Sequence, residues 1–190
     1  MVKSGERPGK RNGKMSGGTV KRAKEIANAG NKGARILIRE EYCMGCRLCE
    51  VHCITEHSDS GNIIKAYRGS TPPPASGIYF ESKGSVSFAL QCRHCDDAPC
   101  LEGCLTGALY RDPESGAILH DPEKCIGCWT CIALCPFGAV KPDTGKHTVA
   151  SKCDLCVERA FPACVENCPN EAIVLVDRDG RRIDKDESEQ

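Results

Sequence analysis

The sequence predicts an α+β fold of short helices and short β-hairpins, and three observations carry that prediction. Sixteen of the 190 residues are cysteine, and they fall into four groups of four. After three of those groups the same tail follows, an alanine and an aliphatic residue beginning four positions past the last cysteine: Ala108-Leu109, Ala139-Val140 and Ala172-Ile173. Between the groups lie stretches of alternating character broken by glycine and proline, the mark of hairpins rather than long helices.

Taken in order, residues 1–18 are rich in Gly, Lys and Ser and read as disordered, while residues 19–29 suit a short helix stopped by Gly30 or Gly33. Ala34–Arg39 (ARILIR) is the first strand and the start of the folded body. A 38-residue insert follows Cys53, and there the Ala-aliphatic tail is missing. The insert holds the breaker Thr71–Pro74 and then a hairpin over Ile78–Leu90, turning at Lys83-Gly84. A second hairpin is expected at Ala108–Leu119, turning between Asp112 and Gly116, and Ile173–Val176 is a last short strand. The charged end, residues 177–190, is expected to fray.

The core that such a chain can pack is thin. Hydrophobic residues make up 40%, but about 32% once the cysteines are set aside, and only nine residues are aromatic. Cysteine at this density means either disulfides or metal. Disulfides require an export route, and residues 1–20 offer neither an apolar signal core nor a twin-arginine pair. No stretch approaches the apolar length of a membrane span. The expected location is therefore cytoplasmic, where thiols stay reduced and sixteen of them point to metal.

Spacing narrows the metal. Cys43, Cys46, Cys49 and Cys53, and again Cys125, Cys128, Cys131 and Cys135, follow C-x2-C-x2-C-x3-C. Cys92, Cys95, Cys100 and Cys104 follow C-x2-C-x4-C-x3-C, and Cys153, Cys156, Cys164 and Cys168 follow C-x2-C-x7-C-x3-C. Three cysteines within one tight loop can curl around a [4Fe–4S] cube, while the fourth points away and in two-cluster ferredoxins ligates the other cluster. Zinc sites also use C-x2-C pairs, but they combine two distant pairs and need neither the third crowded cysteine nor the proline that follows Cys135.

From Cys43 to Cys168 the chain resembles the four-cluster electron-transfer subunits of the dimethyl-sulfoxide-reductase and formate-dehydrogenase family. Gln91–Cys100 (QCRHCDDAPC), Lys124–Cys131 (KCIGCWTC) and Lys152–Cys156 (KCDLC) carry the likeness. It is most similar to the small ferredoxin-like members that serve carbon monoxide dehydrogenase, hydrogenase, or tungsten and molybdenum aldehyde and formate oxidoreductases. The resemblance implies four [4Fe–4S] clusters held by crossed ligand sets. Cys43, Cys46 and Cys49 would take Cys168 (cluster one), and Cys92, Cys95 and Cys100 would take Cys135 (cluster two). Cys125, Cys128 and Cys131 would take Cys104 (cluster three), and Cys153, Cys156 and Cys164 would take Cys53 (cluster four). The fold implied is two interleaved bacterial-ferredoxin-like two-cluster modules. The outer one comprises residues 34–91 and 136–178, with its insert at 54–91, and the inner one residues 92–135. A basic arm at 1–33 and a charged tail at 179–190 flank them. Two departures stand out: Ile54 and Leu105 follow the fourth cysteine where Pro136 and Pro169 do elsewhere.

The function implied is a one-electron relay between a catalytic oxidoreductase subunit and a further electron carrier or flavoprotein, with no catalytic residues of its own. No phosphate loop, dinucleotide fingerprint or nucleophile–base set is present. His94, between two ligand cysteines, is a donor to a sulfur or else a solvated loop residue; Trp129 is read as a shield over a cluster, and Asp96 and Asp97 as solvated or part of a docking face. The alternative function is a redox-sensing regulator that binds nucleic acid through the arm. Residues 1–33 carry nine Lys/Arg against two acids, the remainder seventeen against twenty-four. About −2 per oxidised cluster would take the body to roughly −15. The arm lacks the interleaved aromatics of a nucleic-acid binder; its charge suits folding back on its own body, clasping the catalytic partner or docking onto another copy of the body, and the alternative is a disordered, solubilising tail. Because the apolar core is thin, metal binding and folding should be coupled. Apo-protein is expected to show no cooperative unfolding transition, and dispersed amide resonances in metal-free protein would contradict this.

Overall fold

The computed structural model describes residues 33–68, 75–84, 86–143, 149–159 and 161–184. Residues 1–32 of the basic arm, with the helix expected at 19–29, the Thr71–Pro74 breaker and the last six residues lie outside these.

The first strand, β1 (Arg35–Ile38), forms where expected, but its partner is the last one, β8 (Ile173–Val176), in antiparallel register from Arg35 opposite Val176 to Ile38 opposite Ile173. The two ends of the body are thus tied together. Aliphatic and β-branched side chains suit this ladder, and β8 (IVLV) is buried along its whole length. Its outer side is covered by residues 177–184, which fold back where fraying was expected. Ile183 N–H donates to Leu175 O at 2.9 Å, Arg182 bridges to Val176, and Asp177 Oδ1 accepts from the N–H groups of Asp179 and Arg181.

Three hairpins complete the strands among the described residues. β2 (Ile78–Lys83) and β3 (Val86–Gln91) turn at Gly84, which takes the left-handed φ of +62°. β4 (Leu109–Arg111) and β5 (Ile118–His120) enclose the expected turn, where Asp112 Oδ2 accepts from Ser115 N–H at 2.8 Å. The third, β6 (Lys141–Asp143) with β7 (Val149–Ser151), was not expected: Pro142 stands within it and disguises a strand.

The helices are short. α1 (Leu48–Glu56) is the longest at nine residues; α2 (Ile63–Arg68) lies in the insert. α3 (Pro99–Glu102), α4 (Thr130–Leu134) and α5 (Ala163–Glu166) are single turns. No described helix is long and apolar enough to cross a membrane. Each cysteine group sends its third member, Cys49, Cys100, Cys131 or Cys164, into one of α1, α3, α4 and α5, and all four are buried.

Two apolar clusters form the core, and cysteines are part of both. One gathers Ile36, Ile78, Ala89, Ala139, Ile173 and Leu175 with Cys49, Cys53, Cys92, Cys153 and Cys164. The other gathers Ala98, Leu109, Ile118, Val140 and Ala150 with Cys100 and Cys131. The repeated alanines Ala108, Ala139 and Ala172 are all but fully buried, at 1–2% exposure. Their small size lets the chain after each group press against the cysteine loops.

The insert touches this core at one tight point. A Cβ on Gly77 would stand 2.8 Å from the Cα of Cys153 and 3.1 Å from its nitrogen, so backbone would have to move. Gly77→Ala is expected to destabilise the metal-loaded protein by about 1–3 kcal/mol, read as a lowered denaturation midpoint. An unchanged midpoint would show that this approach is not needed.

Candidate metal centres

A recurring backbone kink shapes each cysteine loop. The residue before the second cysteine has a left-handed φ in all four groups: Gly45 (+73°), His94 (+47°), Gly127 (+67°) and Leu155 (+61°). Glycine adopts this conformation without steric cost, whereas a residue with a Cβ is strained by roughly 1–2 kcal/mol. Two groups accept that strain, which marks the kink as a requirement of the loop and not a habit of glycine. It turns the local N–H groups toward sulfur; Leu155 N–H donates to Cys153 Sγ at 3.3 Å.

Two of the cysteine loops share a cavity with the fourth cysteine of another group. One cavity is lined by Cys43, Cys46, Cys49 and Cys168, closed by Met44, Phe80 and Ala172. A second is lined by Cys104, Cys125, Cys128 and Cys131, with Trp129 and Ile126 at its wall. Among the other eight cysteines, several feel one another's charge. Burial and then the neighbouring charges of Cys92, Cys135 and Cys95 push the Cys100 thiol up to about 11. Burial, with Cys156 and Cys53 adding to it, pushes Cys164 well above its ordinary value. Burial does the same to Cys153, to which Cys164 adds.

The donor chemistry fits iron–sulfur cubes. Burial pushes Cys49 up to about 12 and Cys156 to about 11. Thiolates so placed are tolerated only against a bound cation. Backbone N–H groups meanwhile point at the fourth cysteines: Leu109 at Cys104 Sγ (3.4 Å), Ala139 at Cys135 Sγ (3.4 Å) and Gly77 at Cys53 Sγ (3.2 Å). The first two come from the Ala-aliphatic tail. Where that tail is missing, after Cys53, the end of the insert supplies the donor in its place. His120 Nε2 is buried without a partner, and His120 lines the Cys104–Cys131 cavity, where a cluster sulfur would satisfy it.

Other residues singled out in the sequence also find their places. His94 is not solvated: it is 4% exposed, and its Nδ1 accepts from Ile118 N–H at 3.0 Å, so the proton sits on Nε2, which is buried and unpartnered. Burial first, then the charge of Lys152, depresses its basicity and keeps the ring neutral. Trp129 lies against the cavity as a shield. Asp96 is not simply solvated, because it pairs with Arg35 and, at 3.8 Å, with Arg178.

The sequence reading missed His57. Its Nδ1–H donates to Cys53 O at 2.8 Å and lies 3.8 Å from Cys53 Sγ, and its Nε2–H donates to Asp154 Oδ2 at 3.1 Å. Burial would raise the Cys53 thiol, but the hydrogen bond and charge of His57, with the Gly77 N–H, hold it below its ordinary value. His57, Asp154 and Cys156 lie within 4.8 Å of one another, the spacing of a small metal site. Both ring nitrogens are already engaged with acceptors, so the arrangement is a hydrogen-bonded pair.

Comparison with known proteins agrees with this chemistry. Residues 85–178 match the 4Fe-4S dicluster domain. An iron-sulfur protein of Rhodospirillum rubrum is 38% identical over 78% of this chain and 84% of its own. The electron transport protein HydN of Escherichia coli K12 is 38% identical over 75% and 87%. The polyferredoxin-like subunit of an aliphatic sulfonate oxidoreductase from Pyrococcus furiosus is 40% identical over 70% of each. Among solved structures, the BamBC active site complex of benzoyl-coenzyme A reductase aligns at a TM-score of 0.39 and 19% identity, over 80% of this chain and 81% of that one. The chain belongs to the family of 4Fe-4S dicluster iron–sulfur proteins of electron transport.

Proposed function

We propose that the chain relays single electrons through four [4Fe–4S] clusters between a catalytic oxidoreductase subunit and a second electron carrier or flavoprotein. Each cluster, when bound, supplies a one-electron couple. The carrying observation is that two cavities each bring three cysteines of one group together with the fourth of another, Cys43, Cys46 and Cys49 with Cys168, and Cys125, Cys128 and Cys131 with Cys104, while Cys100 feels the charge of Cys135 and Cys164 that of Cys53. This is the support for the crossed ligand sets and for the interleaving of the two modules.

The sets also read as a line. Cys164 feels the charge of Cys49 as well as that of Cys53, which supports an arrangement with the first and fourth sets side by side. The ammonium of Lys152 acts on both Cys153 and Cys100, linking the fourth set to the second. Cys135 packs against both apolar clusters and so joins the second set to the third. The ends of this line are the sets with solvent-open members, Cys46 and Cys128. Beside them, at matching motif positions, stand Met44 and Ile126, 62% and 67% exposed. An exposed apolar residue at each end suits brief docking of two different partners.

The relatives are named for electron transport and, in one case, for an oxidoreductase subunit. On this reading the catalytic partner is a tungsten or molybdenum aldehyde or formate oxidoreductase, or a carbon monoxide dehydrogenase. Anaerobically prepared protein should carry about sixteen irons and sixteen sulfides per chain; four zincs without sulfide would sink the proposal. Cys135→Ser should alter the cluster of Cys92, Cys95 and Cys100 while leaving that of Cys125, Cys128 and Cys131 intact by electron paramagnetic resonance. Loss of the latter alone would show that the sets do not cross.

A further inference from the structure

The set formed by Cys53, Cys153, Cys156 and Cys164 differs from the two end sets in having every member buried, at 5–9% exposure. An added electron is most costly where water is excluded, because little solvent is left to screen it. The cations around this set are mostly committed elsewhere. The Arg159 guanidinium is answered by Glu56 at 2.6 Å and Glu166 at 2.5 Å. Lys152 Nζ donates to Cys153 O at 2.6 Å and to Ile118 O, and acts on Cys100 as well as on Cys153.

His57 is arranged differently. It caps the end of α1, one helical turn past Cys53, and both of its nitrogens face acceptors, so both carry hydrogen. One edge of the ring lies against Cys53. The other reaches across 97 residues of sequence to Asp154, between two cysteines of the fourth group. Asp154 is fixed in turn, its Oδ1 accepting from Cys156 N–H at 2.9 Å. The pair therefore joins the crossing cysteine to the loop that supplies the other three, with its positive end toward Cys53 and its negative end toward Cys156.

We propose that His57, held by Asp154, is a positioning residue for the cluster of Cys53, Cys153, Cys156 and Cys164, seating Cys53 and raising that cluster's reduction potential. The inference rests on the crossed sets proposed above. Donors to sulfur and nearby positive charge favour the reduced, more negative form. The two partners act with opposite sign, since the carboxylate faces the same set.

The test uses the full chain, loaded anaerobically, with potentials read by titration under electron paramagnetic resonance. Cys164→Ser marks which couple belongs to this set. In His57→Gln that couple should be harder to reduce by about threefold in its equilibrium, or about 28 mV at 59 mV per tenfold. The effect is modest because the side chain is 34% exposed. In Asp154→Asn the same couple should move the other way. His52→Gln, on the same helix, should leave all couples in place. Shifts of the same sign in the His57 and Asp154 variants, or no shift with sixteen irons retained, would overturn the inference. So would loss of irons from both variants, which would make the pair a structural support only. Fewer than sixteen irons in the unaltered chain would instead count against the four-cluster reading itself.

Discussion

Everything in this molecule depends on making buried cysteine sulfur tolerable. Nine of the sixteen cysteines are buried or pushed above their ordinary thiol range by burial, and several stand close enough to repel one another once ionised. A core built this way cannot hold by apolar contact alone. It needs bound metal among the sulfurs and donors around them, which is why the left-handed kinks and the sulfur-directed N–H groups recur. The helices are short for the same reason. The single turns α3, α4 and α5 are only long enough to carry a cysteine inward, and their stability comes from what that cysteine binds instead of from helix propensity.

Much of this was legible in the sequence, because cysteine spacing and the Ala-aliphatic tail are local signals. The strand at Ile173–Val176 and the hairpins after Ile78 and Ala108 stand where alternation and turn residues placed them. What stayed hidden depends on contacts between distant residues. Nothing in Arg35–Ile38 says that its partner lies at Ile173–Val176. Nothing in Gly77 says that its N–H replaces the donor missing after Cys53. The third hairpin was masked by Pro142, and the ordered tail by its charge, which proves compatible with a tight turn at Asp177.

His57 shows the same limit at a site. In sequence it is one of five histidines, and it sits outside every cysteine motif. Only the path of α1 reveals that it stands beside Cys53 and opposite Asp154. His94 was visible because it lies inside a motif, yet its burial and its bond from Ile118 N–H come from the hairpin packed over it.

The pairing of the first strand with the last has a consequence for how the protein is made. On the ribosome, Arg35–Ile38 has no partner until Val176 has been synthesised. At about 5–20 residues per second that interval is roughly 7–28 s. Throughout it the nascent chain carries a growing number of reduced, unshielded thiols, each open to oxidation or to capture by the wrong metal. Maturation is therefore a contest between cluster delivery and oxidants that runs through most of translation. Cells would hold this protein best where oxygen is scarce or where iron–sulfur assembly is fast.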